Sequence, residues 1–305
     1  MLTAAQLDGL PSPILELYER FHTSIIRDIA RWVAGLYYSS AAWQVQRLSE
    51  SVLLYQEVVE RVSVLTGESE EALKKIFEQA GVRAMSFDDG IYRKAGLRPL
   101  PLNLSPQMMQ VLVAGLQKTS GLMRNLTGTT AVAAQEAFLS ASDLAYMQIS
   151  SGALDYNTAI REAVSEVARK GVDVIYFASG HRDTIDVAMR RAVLTGVNQT
   201  TGEMQLARAD EMGAELMQTS AHIGARNKGV GLANHEGWQG KVFSLKGATK
   251  EYPNFEEVTG WGTVTGLGGI NCRHSFYPFY KGISKNAYDQ ATLNEYASKD
   301  GHLSG

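Results

Sequence analysis

The sequence predicts an α+β chain, with a mainly helical N-terminal region followed by a compact C-terminal α+β module of short strands and glycine-rich loops. Three observations carry that prediction. Apolar residues recur at helical spacing through most of residues 1–150. Ser150, Ser151 and Gly152 then mark a change to mixed sequence. Beyond them, short apolar runs at 172–177 and 241–245 are separated by long stretches rich in glycine. The expected organisation is a helical assembly region over 1–150, an α+β module over 151–285, and a C-terminal helix or flexible tail over 286–305.

Taken in order, residues 14–65 read as helix, and Val45, Leu48, Val52, Tyr55, Val59 and Val62 alternate three- and four-residue spacing in a heptad-like seam. With fewer than four heptads present, the favoured reading is a core face in a helical bundle; the alternative is an intermolecular coiled coil. Thr66 and Gly67 are expected to break this helix, Ser69 to cap a short one, and Gly81 to stop it. Residues 87–101 read as a connector, because Pro99 and Pro101 oppose helix. Ser105 and Pro106 start the next helix, which is expected to run to Lys118. A small-residue helix follows through Ala145, and Asp155 caps another that ends near Gly171. Residues 172–177 read as a buried strand and 181–194 as a helix carrying Arg182, Arg190 and Arg191. Residues 212–221 fit helix or strand, whereas 241–245 and 275–277 read as extended.

Composition narrows the functional classes. A chain of 305 residues exceeds the usual single-domain size, and 45% hydrophobic content suffices for a sizeable core. The net charge is −3, made of −2 over residues 1–150 and −1 over 151–305. Neither half concentrates positive charge, so bulk nucleic-acid binding is not expected. The single Cys272 cannot form an internal disulfide, and no basic segment followed by an apolar run opens the chain, so secretion is not expected. No apolar stretch approaches the roughly 20 residues of a membrane-spanning helix, so no membrane partner is expected.

The most informative stretch is 222–279, where His222, Arg226, His235, Trp238, Gln239, Cys272, Arg273 and His274 punctuate glycine-rich sequence. His222, His235, Cys272 and His274 are residue types that ligate zinc. Only Cys272 and His274 form a close pair, against two close pairs in a standard motif, so neither a metal nor another cofactor is expected. His235 with Glu236 as acid and base, and Arg226 or Arg273 as anion stabilisers, make up the parts of a nuclease or phosphoryl-transfer site. Cys272 beside a histidine would be a thiolate pair, but no nucleophile turn surrounds it. The glycines lack the following helix of a phosphate-cradling loop. The favoured reading is structural: histidine and arginine side chains brace the loops through backbone carbonyls, over a small core of Trp238, Phe255, Trp261, Tyr277 and Phe279. No catalytic residue is assigned. Arg182, Arg190 and Arg191, diluted by Asp183 and Asp186, read as a solvated or ion-paired helix face in preference to a DNA contact.

Several separated blocks occur together in one order: QRL at 46–48, NLTGTTA at 125–131, SGALDYNTAI at 151–160, HRDTIDVAMRRAVLTGVNQ at 181–199, AHIGAR at 221–226, HEGWQGKVFS at 235–244 and TGLGGINCRHSFYPF at 265–279. Over nearly the whole chain they resemble the tailed-phage minor capsid protein 2 family, relatives of the portal-associated, MuF-like head morphogenesis proteins. The resemblance implies a structural, non-enzymatic minor capsid protein at the portal vertex or inner side of the phage head, acting in head assembly and in DNA packaging or ejection. It implies the portal protein and other head proteins as partners, with packaged DNA and a second copy of the chain as further candidates. It also implies assembly in the cytoplasm of the bacterial host. The family motif falls on His222, Gly224, Ala225, Arg226, His235, Trp238, Gln239, Gly240, Asn271, Cys272, Arg273 and His274, with no reaction assigned to them. The competing implication is a head protein whose C-terminal module is a histidine-dependent, metal-assisted nuclease or hydrolase.

Overall fold

The structure, a computed structural model, describes residues 1–39, 42–127, 129–170, 174–176, 182–227 and 230–300. Helix α1 (Ala4–Gly9) opens on a capping box, in which Thr3 and Gln6 each accept from the other's backbone N–H. There follow α2 (Ser12–Ala34), α3 (Trp43–Lys94), α4 (Pro106–Thr127), α5 (Thr130–Ser150) and α6 (Tyr156–Lys170). Strands β1 (Val174–Tyr176) and β2 (Arg182–Thr184) pair antiparallel ahead of α7 (Ile185–Glu211). The remainder is β3 (Leu216–Thr219), α8 (His235–Trp238), β4 (Val242–Ser244), α9 (Phe255–Thr259), β5 (Phe276–Pro278) and α10 (Gln290–Asp300). Strand β3 is the centre of an antiparallel sheet of order β4-β3-β5, with Met217 opposite both Phe243 and Pro278. A helical N-terminal region with a small C-terminal sheet is the α+β class read from the sequence.

Several expected starts and strands are present. Helix α4 begins at Pro106, and the Ser105 hydroxyl accepts from Met108 N–H at 3.4 Å. Asp155 caps α6 by accepting from Thr158 N–H at 3.1 Å. The expected helix at 181–194 instead begins at Ile185, so Arg182 lies on β2 while Arg190 and Arg191 lie on α7. His181 and the ends of the 172–177 run lie outside the described residues.

The largest departure is α3, one helix of 52 residues where a break, a short helix and a connector are expected. Thr66 does not break the helix and Ser69 does not cap a new one. Their hydroxyls donate back to the Val62 and Leu65 carbonyls at 2.7 and 2.6 Å, a pattern that lets the helix continue. Gly81 does not stop it either; a side chain there would press on Met204 and Leu112. The expected core face is also corrected. Val45, Leu48, Val52, Tyr55 and Val59 are all exposed, while Leu54, Val58 and Leu65 are the buried positions, and Val62 is half-buried against the core.

The chain divides into two compact units whose segments alternate, in place of the consecutive segments 1–150, 151–285 and 286–305. One comprises Ser12–Ala72 and Ser120–Arg190. Its core joins Ile25, Ile29 and Val33 of α2, Leu54 and Val58 of α3, Phe138 of α5 and Val167 of α6. Ala134, Ala141 and Ala145 are buried on α5, and such short side chains allow neighbouring helices a close approach. Trp43 stacks on Tyr146 with ring centroids 4.1 Å apart.

The other unit comprises Met1–Pro11, Leu73–Thr119 and Arg191–Gly305. Its core gathers Tyr92, Met217, Trp238, Phe243, Phe255, Leu267 and Phe276. Where α4 meets α7, Gly115 and Gly196 leave no space for a side chain, because Thr200 and Thr119 fill it. Helix α7 buries a row of polar residues, Asn198, Thr201, Gln205 and Arg208. The Gln205 amide donates to Asp88 Oδ2 at 3.0 Å and to the Phe276 carbonyl. Arg208, with no exposed surface, donates to the Leu100 carbonyl at 2.7 Å and to Glu211 at 3.1 Å, with Asp89 Oδ1 at 3.5 Å from Nε.

Two outcomes follow from this buried charge. Arg208→Ala strips the countercharge from buried Asp89 and is expected to cost about 3–5 kcal/mol in denaturant unfolding. Burial pushes the Asp88 carboxyl up to about 8, against the opposing effect of the Gln205 hydrogen bond. The unfolded chain releases that proton at about pH 4, whereas the folded chain keeps it to about 8, so this group makes stability fall as pH rises through that window. Asp88→Asn is expected to raise the melting temperature at pH 8 and to flatten its pH dependence between pH 5 and 8.

Candidate functional site

Six of the residues singled out in 222–279 are drawn together by three short structures: the turn after β3, helix α8 with the residue that follows it, and the approach to β5. His222 follows β3. Its backbone N–H donates to Gln239 Oε1 at 3.0 Å, and its Nδ1–H donates to the Ile223 carbonyl at 2.8 Å. His235 opens α8 and Trp238 closes it, with their rings 4.6 Å apart. Cys272 and His274 flank Arg273 on the extended approach to β5, and alternation along it turns both inward while Arg273 is half-buried. Arg273 Nε donates to Asp8 at 2.8 Å.

His274 is the hub. Its ring lies 4.2 Å from His222, 4.9 Å from Trp238 and 5.3 Å from His235, centroid to centroid. Its Nε2–H donates to Gln239 Oε1 at 3.1 Å, and its Nδ1 lies 3.7 Å from Cys272 Sγ. His235, Trp238, Gln239, Cys272 and His274 are all buried. Burial, with His222 and His235 adjacent, holds His274 well below the usual histidine range. Burial likewise lowers His235, against the hydrogen bond to Thr265, and pushes the Cys272 thiol up. At neutral pH the cluster is two neutral imidazoles beside a thiol.

The loop over 260–271 is held by side chains that donate to its carbonyls. Arg226 reaches the Thr265 and Ile270 carbonyls at 2.9 and 3.0 Å, and His235 Nε2–H reaches Thr265 at 2.7 Å. From α7, Asn198 donates to the Cys272 and His274 carbonyls at 2.9 and 3.2 Å, and Gln199 to Gly268 at 3.1 Å. Gly268 has a φ of 72°, and the face of its Cα lies against the Trp261 ring, so a side chain there is excluded on two counts. Asn198, Gln199 and Gln205 were not anticipated from the sequence. The signal is the recurrence of polar residues at 198, 201, 205 and 208, a helical stripe that reads as solvent-facing until a loop needing donors is laid against it.

The other candidates lie elsewhere. Glu236 follows His235 on α8 but its hydrogen bond is made by the backbone, N–H to the Arg226 carbonyl at 3.1 Å. Arg190 and Arg191 lie on α7. Among the described residues, no helix is long and apolar enough to cross a membrane.

A family profile described as phage minor capsid protein 2 matches residues 2–302. The chain belongs to this family. The minor capsid protein 2 assignment therefore spans both compact units, and the site just described lies wholly inside the matched region. The chain is also similar to a "structural protein" of Lactococcus phage LL-H, with 21% identity over 275 residues that cover 86% of this chain and 71% of the relative. No solved structure matches it.

Because Trp238 is buried between two histidines and donates to the Leu232 carbonyl at 3.0 Å, it ties α8 to the loop before it. Trp238→Ala is expected to cost about 3–5 kcal/mol in thermal or denaturant unfolding. An unchanged melting temperature would contradict the bracing role.

Proposed function

We propose that this minor capsid protein is a non-enzymatic component of the phage head, bound at or near the portal, where it acts in head assembly and in DNA packaging or ejection. In this reading it assembles in the host cytoplasm beside the portal and other head proteins. The observation that supports it most directly is the row Val45, Leu48, Val52, Tyr55 and Val59 on α3, whose exposure runs from 38% to 69%. A contiguous apolar row left on the surface marks an interaction site. Its heptad spacing fits an apposed helix, and the flank formed by Ser49, Gln56 and Ser63 is exposed and uncharged, so no like charge opposes a second helix. The partner that this row fits is a helix of a neighbouring head protein.

The non-enzymatic part of the reading is supported by burial. His235 and His274 are 2% and 1% exposed, so a substrate has no direct access to either ring. DNA contact receives no support from charge, since the chain is acidic overall.

Quantitative mass spectrometry of purified mature particles against the major capsid protein tests the proposal. A few copies to a few tens per particle are expected; absence from mature particles would sink it. The double variant Leu48→Glu, Val52→Glu is expected to fold with a melting temperature close to that of the parent, since both side chains are exposed, yet to be lost from particles. Incorporation at the parent level would remove α3 as the assembly surface.

A further inference from the structure

The cluster beneath His222 has a property that loop bracing does not require: its hydrogen bonds fix which ring nitrogens carry lone pairs. The His222 backbone N–H is an obligate donor, and it points at Gln239 Oε1. That contact orients the Gln239 amide, so the same oxygen must receive a hydrogen from His274 Nε2. His274 Nδ1 is then the bare nitrogen, and it faces Cys272 Sγ at 3.7 Å. On His235, Nε2 carries its hydrogen to the Thr265 carbonyl, which can only accept, and the other ring nitrogen is left bare. Histidine ligands of metals are held in this way, the non-ligating N–H being given to a carbonyl or an amide oxygen.

Distances agree. One donor atom from each of His235, Cys272 and His274 lies within 4.8 Å of the other two. In a tetrahedral zinc site with bonds of about 2.3 Å to sulfur and 2.0–2.1 Å to nitrogen, the sulfur and nitrogen ligands stand about 3.6 Å apart. The Cys272 to His274 separation already meets that value, and side-chain adjustments on the order of 1 Å bring in His235. The spacing that argued against a metal, with a single close pair in sequence, is overcome because α8 delivers the third ligand from 37 residues away in the chain. His222, whose ring lies 4.2 Å from that of His274, lines a cleft of about 260 Å³ with Ser220, Ile223 and Tyr288.

We propose that Cys272 Sγ, His274 Nδ1 and a ring nitrogen of His235 bind one zinc-type divalent cation, with water in the fourth position. A thiolate with two imidazoles selects zinc over the hard cations magnesium and calcium. On binding, the Cys272 thiol releases its proton to solvent and the sulfur forms the metal bond; both histidines ligate in the neutral form they already hold. The cation would clamp α8 to the approach to β5. This inference stands apart from the location of the protein in the particle.

The test uses the full chain, expressed in zinc-supplemented medium and dialysed before metal analysis. About one zinc per chain is expected in the parent. Cys272→Ala and His235→Ala should each lower zinc content roughly tenfold or more, and Gln239→Met, which touches no metal, should weaken affinity about 10- to 100-fold by releasing the His274 tautomer. Should the variants fail to fold, cobalt(II) titration of the apo parent still decides: a near-ultraviolet thiolate-to-cobalt band that saturates at one equivalent supports the site. A parent that purifies with no zinc and develops no such band with cobalt overturns the proposal and leaves the cluster a hydrogen-bonded brace.

Discussion

The polar row on α7 is the constraint around which the unit containing the site is built. Its sheet has only three strands of three or four residues each, so most of the loop backbone there has no ladder partner. Buried carbonyls without donors cost free energy comparable to a lost hydrogen bond. Asn198, Gln199, Gln205 and Arg208 answer that need by donating to the carbonyls of Cys272, His274, Gly268, Phe276 and Leu100. The segment 268–276 is thereby laid along a helix as it would otherwise be laid along a strand. Once it is fixed there, the alternation Cys272, Arg273, His274 decides that the thiol and imidazole face inward.

The second set of donors works from the opposite side of the same loop. Arg226 and His235 share the Thr265 carbonyl, and Arg226 also takes Ile270, so the glycine-rich turn is gripped at both ends of 265–270. Glycine is required there by contact as much as by dihedral angle: a side chain at Gly266 would collide with the Gly260 carbonyl, and one at Gly269 with that of Val264. The hydrogen bonds of His235 to the Thr265 carbonyl and of His274 to Gln239 orient their rings, and orientation is what converts a group of polar side chains into a defined arrangement of donors and lone pairs.

Two helix starts set by local chemistry were legible in the sequence. Ser105 with Pro106 and Asp155 mark helix starts because capping and a fixed φ act within one turn. The runs at 241–245 and 275–277 that read as extended overlap β4 and β5. What could not be read was decided by distant partners. Gly81 looks like a helix stop but lies inside α3, packed against Met204 and Leu112. Asp88 and Asp89 look like part of a connector, yet Gln205 and Arg208 meet them inside the fold. The alternation of chain segments between units has no local signature either, since each crossing falls in or beside a helix.

The exposed row on α3 follows from the same logic in reverse. Between Val45 and Leu65 the helix carries two apolar stripes: Leu54, Val58 and Leu65 on one side, and Val45, Leu48, Val52, Tyr55 and Val59 on another. Both have helical spacing, so periodicity alone cannot choose the inward one. The choice is made by α2, α5 and α6, whose packed side chains can cover only one of the two stripes. Helix α3 thus keeps more apolar surface than its own unit buries. In a soluble monomer with no further contacts, such a surplus brings only the liability of nonspecific association. A helix already held rigid along its buried face would offer its second stripe to the head-protein partner proposed above without further loss of conformational freedom on binding.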